Sequence, residues 1–234
     1  MVDLKDKVAI VTGGGTGIGL AITQTLISLG MKVVITSRDE ANLCKQAQQL
    51  NQNDESVYAL PCNVRNKSEV ESVVAATLAK FGTLDVLINN AGLGVQDKVI
   101  DCSEEDWDMV LETCTKGTFL MTQAVLPTLQ KKRDGFIINI ASQAAKNGYD
   151  RTAPYCAAKF GVLGFGLALQ EEVREFGIKV HSLCPGLVQV PQVATQAEMT
   201  PGWLQPEDLA QTVAFLLQQP KRVYFDNIGL WGMA

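Results

Sequence analysis

Short runs of apolar, mostly β-branched residues alternate along the chain with longer stretches of mixed polarity. The short runs predict strands that are buried on both faces, and the longer stretches predict helices, two of which open with the start signals Ser-Glu-Glu and Pro-Glu-Asp. The predicted strands are residues 7–12, 32–37, 57–60, 84–89, 136–141, 179–184 and 223–230. The predicted helices are residues 17–29, 39–50, 67–80, 103–131, 153–176 and 206–218.

This alternation also predicts the fold class. Strands that are apolar on both faces and alternate with helices indicate a parallel sheet that is covered on both sides. Neither an internal repeat nor a linker interrupts the pattern. We therefore predict an α/β protein with a single-domain Rossmann fold over residues 1–234, a doubly wound parallel sheet of about seven strands with helices on both faces.

The composition is that of a soluble globular protein, with 47% hydrophobic residues and a formal net charge of −5. This acidic balance argues against nucleic acid as a partner, because phosphate binding requires a basic face. Six cysteines without a CxxC spacing and one histidine predict neither a metal site nor a disulfide framework. The chain shows no cationic leader and no apolar run near the ~18 residues of a membrane span, so we expect a cytoplasmic protein without a membrane partner.

A glycine-rich turn, TGGGTGIG at residues 12–19, follows the first predicted strand directly. Glycines at positions 13, 17 and 19 suit a tight strand-to-helix turn in which backbone N–H groups approach a pyrophosphate closely. Such a turn alone is weak evidence. Its position between a strand and a helix predicts a dinucleotide site.

The end of the second predicted strand indicates which dinucleotide is bound. An Asp or Glu about twenty residues past such a turn usually grips a free ribose 2′-hydroxyl, but Ser37 and Arg38 stand there. Because Arg can meet a 2′-phosphate with two charge-assisted hydrogen bonds, we predict NADP(H) as the cofactor. The alternative is that Arg38 only begins the next helix as a solvated charge.

Three further residues have the chemistry of proton transfer. Tyr155 and Lys159 are four residues apart on a predicted helix, so their side chains share one face and the ammonium favours the phenolate. Ser142 comes just past the fifth predicted strand. A lone Tyr-Lys pair of this spacing is commonly an ordinary surface pair, but NNAG at residues 89–92 and PG at residues 185–186 also follow strand ends, where open α/β sheets bind ligands.

The motifs TGxxxGxG, NNAG, the serine, YxxxK and PG occur in the order and spacing of the short-chain dehydrogenase/reductase family, which this chain resembles over essentially its whole length. The resemblance implies that Tyr155 donates a proton to a substrate carbonyl and that Ser142 polarises the same oxygen. Lys159 would favour the Tyr155 phenolate and hold the nicotinamide ribose. The cofactor would supply the hydride, and the protein would supply orientation and electrostatics.

The resemblance also implies which residues bind the cofactor. Asn63 would replace an Asp at the adenine while keeping a carbonyl acceptor for the adenine amino group. The residues implied at the pyrophosphate are Gly13, Thr16, Gly17, Ile18 and Gly19. Those implied along the adenosine are Ser37, Arg38, Asn63, Val64, Asn90, Ala91 and Gly92. Those implied toward the nicotinamide are Tyr155, Lys159, Pro185, Gly186 and Val188.

Three further positions depart from the family's pattern. Cys114 stands where the family usually has an Asn that helps to hold a water chain to the lysine, and a thiol is a poor hydrogen-bond partner. His181 replaces an Asn often found shortly before PG, and we expect it to be a satisfied strand residue rather than a catalyst. Val190 stands where a Thr often reaches the nicotinamide carboxamide.

The family builds its substrate lid between PG and the next helix, which here is residues 187–205. Within this segment, the candidates for substrate contact are Gln189, Gln192, Met199 and Trp203. For Trp203 the alternative is that the indole packs the loop onto the core.

Together these features predict an NADPH-dependent reductase of a small ketone, aldehyde or acyl-type β-keto substrate. The alternative is a catalytically weak NADP-binding sensor or regulatory protein, which Cys114 keeps open. The resemblance implies a homotetramer, with a dimer as the fallback. Residues 160–169 are apolar on every helical face, which is unfavourable for a helix with one side in water, and their three glycines would let another helix come close.

Overall fold

The computed structural model describes residues 2–51, 55–190 and 202–233. Within these ranges, seven parallel strands form one sheet and helices cover both of its faces. The strands are β1 (Val8–Thr12), β2 (Lys32–Ser37), β3 (Val57–Pro61), β4 (Val86–Asn89), β5 (Gly135–Ile140), β6 (Ile178–Pro185) and β7 (Asn227–Leu230). Their order across the sheet is β3-β2-β1-β4-β5-β6-β7, which confirms the predicted fold class.

The helices pack on the two faces of the sheet because successive side chains of each strand point to opposite sides. Ala9 and Val11 of β1 lie in a core with the first, second and last helices, whereas Val8 and Ile10 lie in a core with the third, fifth and sixth. The helices of the described chain are α1 (Gly17–Ser28), α2 (Glu40–Leu50), α3 (Lys67–Phe81), α4 (Glu104–Leu111), α5 (Gly117–Lys132), α6 (Ala153–Val173) and α7 (Pro206–Leu217).

The direction in which the sheet grows reverses at β1. This strand pairs with β2 on one side and with β4 on the other, so the connections that leave β1 and β4 diverge and open a crevice between the two strand ends. Because all strands are parallel, their carboxyl ends share one edge. Open α/β sheets bind their ligands at this edge.

The long helix predicted over residues 103–131 is interrupted. It consists of α4, a π-helical turn at Glu112–Lys116, and α5, which continues through Pro127. The sequence of the turn, ETCTK, contains neither glycine nor proline, so no local signal marks it. Single π-helical turns are frequent at functional sites.

The last strand is shorter than the predicted range 223–230, since β7 begins only at Asn227. The carbonyl oxygen of Phe225 lies 2.6 Å from Nδ1 of His181 and is therefore bonded to a side chain rather than to a strand. His181 lies in β6, as expected of a strand residue, but only one of its two ring nitrogens is satisfied. Its Nε2 is buried and has no hydrogen-bond partner among the described residues.

No helix in the described part of the chain combines the length and the apolar character that a membrane crossing requires.

Candidate active site

The strand ends bring the predicted motifs to one edge of the sheet. With neighbouring strands ~4.8 Å apart, the row from β3 to β6 is roughly 24 Å long, which suits an elongated ligand. In spatial order, the residues at or just past these strand ends are Asn63, Ser37, Gly13, Asn90, Ser142 and Pro185.

Two glycines of the glycine-rich turn are required by its geometry. Gly13 has φ of +65°, a backbone conformation that side chains disfavour, and its N–H donates to the Thr36 carbonyl at 2.7 Å. A Cβ on Gly19 would lie 2.1 Å from the carbonyl oxygen of Gly13. The turn can therefore pack against the start of α1 only because Gly19 has no side chain.

Thr12, which the sequence analysis did not assign to the site, joins this turn to the end of β4. Its hydroxyl donates to the Ile88 carbonyl at 3.3 Å and accepts from the N–H groups of Asn90 and Ala91, each at 2.9 Å. Nδ2 of Asn90 returns a bond to the Thr12 carbonyl at 2.9 Å. A polar residue at the end of an otherwise apolar strand was the available signal.

The amino-terminal end of α1 is favourable for an anion. Thr16 is exposed at the N-cap position, Gly17 and Ile18 are partly exposed, and the first helical turn carries no acidic residue. The N–H groups at such an end, together with the helix dipole, attract negative charge. Nδ2 of Asn42 also donates to the Gly15 carbonyl at 3.3 Å and supports the turn from α2.

The end of β2 presents a cation. Arg38 is exposed and forms no ion pair or hydrogen bond with the other described residues. The next residue, Asp39, does carry a carboxylate, but that group accepts the Asn42 N–H at 3.0 Å and caps α2. Ser37 donates its hydroxyl to the Asp39 carbonyl at 3.1 Å. The guanidinium is thus the charged group left free at this strand end.

At the end of β3, the side chain of Asn63 is already engaged. Its Oδ1 accepts from the backbone N–H of Arg65 at 3.2 Å and from Nε of Arg65 at 3.4 Å. Because a carbonyl oxygen has two lone pairs, an adenine amino group would have to displace one of these donors. The side chain of Val64 is buried, and a Cβ on Gly117 would lie 2.7 Å from its Cγ2.

Ser142 follows β5 in extended backbone and begins a short 3-10 turn. Its Oγ accepts the Ala144 N–H at 3.1 Å, which leaves the hydroxyl hydrogen free to donate. Gln143, which sequence reasoning missed, is buried and donates from Nε2 to the Cys184 carbonyl at 2.7 Å, so the turn is tied to β6. Burial raises the pKa of the Cys184 thiol, which therefore stays neutral.

Tyr155 and Lys159 lie one turn apart at the start of α6. Nζ of Lys159 is 5.6 Å from the centroid of the Tyr155 ring and donates to the Ile140 carbonyl at 2.7 Å. Lys159 is only 5% exposed, so this bond fixes its ammonium between α6 and the end of β5. Tyr155 is partly buried, and its hydroxyl has no hydrogen-bond partner among the described residues. A free phenol beside a fixed ammonium is suited to donate a proton.

Cys114 lies in the π-helical turn, close to the same ammonium. Its Sγ donates to the Leu93 carbonyl at 3.4 Å. A Cβ on Gly92 would lie 3.4 Å from this sulfur and 3.6 Å from Nζ of Lys159. The thiol and the ammonium therefore flank the same glycine, at the loop that follows β4.

Beyond β6, the segment toward α7 is described only at its two ends. Gly186 donates its N–H to the Leu230 carbonyl of β7 at 2.8 Å. Val188 is 7% exposed and its side chain lies in the core, so only its backbone remains for a ligand. Val190 is partly buried against the same core. Two lid candidates, Gln192 and Met199, lie outside the described residues.

The other two lid candidates are near α7. Gln189 donates its N–H to the Leu204 carbonyl at 2.8 Å. Trp203 lines an open cavity of about 930 Å³ together with residues of α7 and of the chain after β7, and no predicted catalytic residue lines this cavity. Substrate contact by Trp203 and packing of the loop by its indole both stay predictions.

A family model described as short chain dehydrogenase matches residues 7–201. The chain therefore belongs to the short-chain dehydrogenase/reductase family, as its motifs predicted, and it is an oxidoreductase. An uncharacterized oxidoreductase of Staphylococcus saprophyticus is 35% identical to it over 229 residues, which cover 97% of this chain and 98% of that relative.

Two similar solved structures extend this comparison. A variant of actinorhodin polyketide ketoreductase with NADPH is 32% identical, with a TM-score of 0.90 and coverage of 99% of this chain and 98% of that one. The 3-ketoacyl-(acyl-carrier-protein) reductase of Brucella melitensis, complexed with NADH, is 29% identical, with a TM-score of 0.90 and 98% of both chains covered. Because these two neighbours hold different nicotinamide cofactors, the choice of cofactor in this chain has to be argued from its own residues.

Proposed function

We propose that the protein is an NADPH-dependent carbonyl reductase that converts a ketone, an aldehyde or a β-keto substrate to the alcohol. The observation that carries the proposal is the free Tyr155 phenol, with Nζ of Lys159 5.6 Å from its ring, at the sheet edge that also holds the glycine-rich turn. The names of the two solved neighbours, a ketoreductase and a ketoacyl reductase, support this substrate class.

The residues along the edge fit an NADP-type dinucleotide. The turn is closed so tightly that a Cβ on Gly19 would fill it, and the first turn of α1 holds no acidic residue that would repel a pyrophosphate. Arg38 is free to pair with a 2′-phosphate, since Asp39 is engaged as a cap. When bound, the reduced nicotinamide supplies the hydride for the carbonyl carbon. Cells keep NADPH largely reduced, so reduction is the proposed direction.

The chain's own residues supply proton transfer and orientation. The Tyr155 hydroxyl donates the proton to the substrate oxygen, and the free hydroxyl hydrogen of Ser142 donates a hydrogen bond to the same oxygen. Lys159, held on the Ile140 carbonyl, stabilises the phenolate that remains. Ser142 and Lys159 are held by hydrogen bonds that need no ligand, which lowers the cost of orienting them in the reaction.

Replacing the phenol tests the proposal. Tyr155→Phe removes only the transferable proton, so turnover of NADPH with activated diketones and β-keto esters is expected to fall by about 10²–10⁴-fold while NADPH binding persists. Lys159→Ala is expected to lower turnover and to weaken NADPH binding. The exposed Tyr149 precedes the same helix, and Tyr149→Phe is the matched control with expected wild-type turnover. Near-normal turnover in Tyr155→Phe contradicts the mechanism.

A second function, a catalytically weak NADP-binding sensor or regulator, is favoured by one observation. The thiol of Cys114 bonds to the Leu93 carbonyl at the place where the family usually has an Asn that holds water for the lysine. Tight NADPH binding by the wild type, without turnover of any substrate in the panel, would favour the sensor.

We also propose a cytoplasmic location and a homo-oligomer. All six cysteines are free thiols, which suits a reducing compartment. A homotetramer is the proposed assembly, with a dimer as the fallback.

A further inference from the structure

The chain that follows β7, residues 231–233, lies against both ends of the segment that joins β6 to α7. At the first end, a Cβ on Gly186 would lie 3.1 Å from Cε3 and 3.5 Å from Cζ3 of Trp231. The φ of Gly186 is not in the positive range that favours glycine. The lack of a side chain at Gly186 is therefore explained by the indole that lies on it and not by its backbone conformation.

The contact at the second end is closer. A Cβ on Gly232 would lie 1.6 Å from the carbonyl oxygen of Gly202 and 3.2 Å from the backbone nitrogen of Leu204. Real Cβ atoms do not approach other atoms so closely, so these two stretches of backbone touch with no room for a methyl group. A side chain at Gly232 would push the second end away.

The two ends are also joined to each other. Leu204 donates its N–H to the Leu187 carbonyl at 3.0 Å, and Gln189 donates its N–H to the Leu204 carbonyl at 2.8 Å. The first end is further held to β7, because the N–H of Gly186 donates to Leu230. The chain after β7 thus contacts both ends of the segment, while the Trp231 side chain remains 60% exposed.

We propose that Trp231 and Gly232 are positioning residues of the active site. By clamping both ends of the β6–α7 segment, they fix the backbone at Gly186, where the nicotinamide half of the cofactor is expected. This inference rests on the proposed function, since it is that function which places nicotinamide beside Gly186. Neither residue contacts the reacting atoms, and both act through the backbone that they touch.

The first test compares two changes in the same tail. Trp231→Ala is expected to speed amide hydrogen exchange at Gly186, Gln189 and Leu204 and to weaken NADPH binding by about fivefold or more. Trp231→Phe is expected to restore most of the slow amide exchange and most of the NADPH affinity, because a ring remains over Gly186. Met233→Ala is the control, since this side chain is 90% exposed, and it is expected to match the wild type.

The second test measures coupling between the indole and Gly186. In the wild type, Gly186→Ala places a methyl group 3.1 Å from the ring, so it is expected to weaken NADPH binding and to raise KM for NADPH more than it lowers kcat. In the Trp231→Ala background the nearest atom left is the Leu230 carbonyl oxygen, at an ordinary contact distance of 3.5 Å, so the same change is expected to have a smaller effect on affinity. Equal effects in both backgrounds would mean that the two positions are independent, and would overturn the clamp.

Three further outcomes overturn the proposal. The first is that Trp231→Ala exchanges its amides at the wild-type rate. The second is that Trp231→Ala exchanges faster but binds NADPH with wild-type affinity. The third is a changed mass of Trp231→Ala in light scattering, which would assign the effect to assembly. A wild type that does not bind NADPH refutes the proposed function instead. Amide exchange in Trp231→Ala then still decides whether the tail clamps the two ends.

Discussion

At the scale of single residues, the exposed guanidinium of Arg38 leads to the first prediction. Arg38→Ala removes the proposed charge-assisted contact to the 2′-phosphate, so NADPH affinity is expected to fall by about tenfold to a hundredfold, or roughly 1.5–3 kcal/mol. NADH affinity is expected to change little. Fluorescence titration with both cofactors measures this, with the exposed Arg222→Ala as the control. Equal affinity of the wild type for the two cofactors would contradict the assignment.

The thiol of Cys114 leads to the second prediction. If an Asn in this turn holds water for Lys159, the thiol leaves proton delivery slow, and Cys114→Asn is expected to raise kcat several-fold at saturating NADPH. This is well below the ~10²–10⁴-fold span of general acid–base catalysis, because Cys114 acts through Lys159 rather than on the substrate. Cys44→Asn, on the exposed side of α2, is the control. An unchanged or lower kcat would show that water reaches the lysine by another route.

Sequence reasoning predicted site residues whose chemistry is visible in their type, such as Tyr155 and Lys159, and the structure places these two one helical turn apart. It missed Thr12 and Gln143, because their roles depend on partners that are distant in the chain and adjacent only across strands. It also treated the Asn63 carbonyl as free, whereas two donors of Arg65 occupy it. Occupancy of an acceptor is a property of packing and leaves no trace in residue type.

At the scale of secondary structure, the strands and helices were predicted well because hydrophobic periodicity reports burial directly. The contacts that individual residues make within the helices were not predicted well. Of the three glycines expected to admit another helix, a Cβ on Gly161 would meet Thr115 at 3.1 Å, and one on Gly166 would meet Ser182 at 2.8 Å. Both glycines thus serve contacts within the protomer. A Cβ on Gly164 would meet nothing within 4 Å, so this glycine alone faces open space.

Strand β6 supplies a prediction on pH and stability. His181 and Lys179 project from it and bond to the carbonyls of Phe225 and Pro220, at 2.6 and 2.7 Å, in the connection between α7 and β7. Burial lowers the pKa of His181 below its ordinary value of 6.5, with only partial opposition from the bond to Phe225. The unfolded chain therefore takes up a proton near pH 6.5 and the folded chain only at lower pH.

The free energy of unfolding is thus expected to decrease as the pH falls below 6.5, by at most about 1.4 kcal/mol per pH unit, until the folded-state pKa of His181 is reached. His181→Gln removes the titrating group and is expected to flatten this dependence. Urea unfolding of both proteins at pH 5.5 and 7.5 measures the difference. Since His181 is the only histidine, parallel curves for the two proteins would mean that it does not carry the effect.

At the scale of the whole molecule, an apolar surface on α5 and α6 supports the prediction of an oligomer. Phe119, Phe160 and Leu167 are each more than 40% exposed on these helices, which is costly for a face in water. Light scattering at micromolar concentration is expected to give a multiple of the 25.3 kDa chain mass. Leu167→Glu is expected to reduce that mass, because a charge would be buried between subunits.

The control places the same charge elsewhere. Ala41→Glu, on the exposed side of α2, is expected to leave the mass unchanged. If the wild type has the mass of a monomer, or if Leu167→Glu has the same mass as an oligomeric wild type, α6 is not the subunit interface.

The dependence of Gly186 on β7 and on Trp231 has a consequence for synthesis on the ribosome. The glycine-rich turn gains its bonds with Thr12 and Asn90 early and its core support from α7 later, whereas Gly186 gains its last contacts only from residues that follow α7. At about 5–20 residues per second, Trp231 is translated roughly one to three seconds after α7 is complete. With the site residues as proposed, the nascent protein is expected to complete its nucleotide-binding half first and its reactive half last. Arrested chains that end before Asn227 should already bind an adenosine phosphate while remaining unable to transfer hydride.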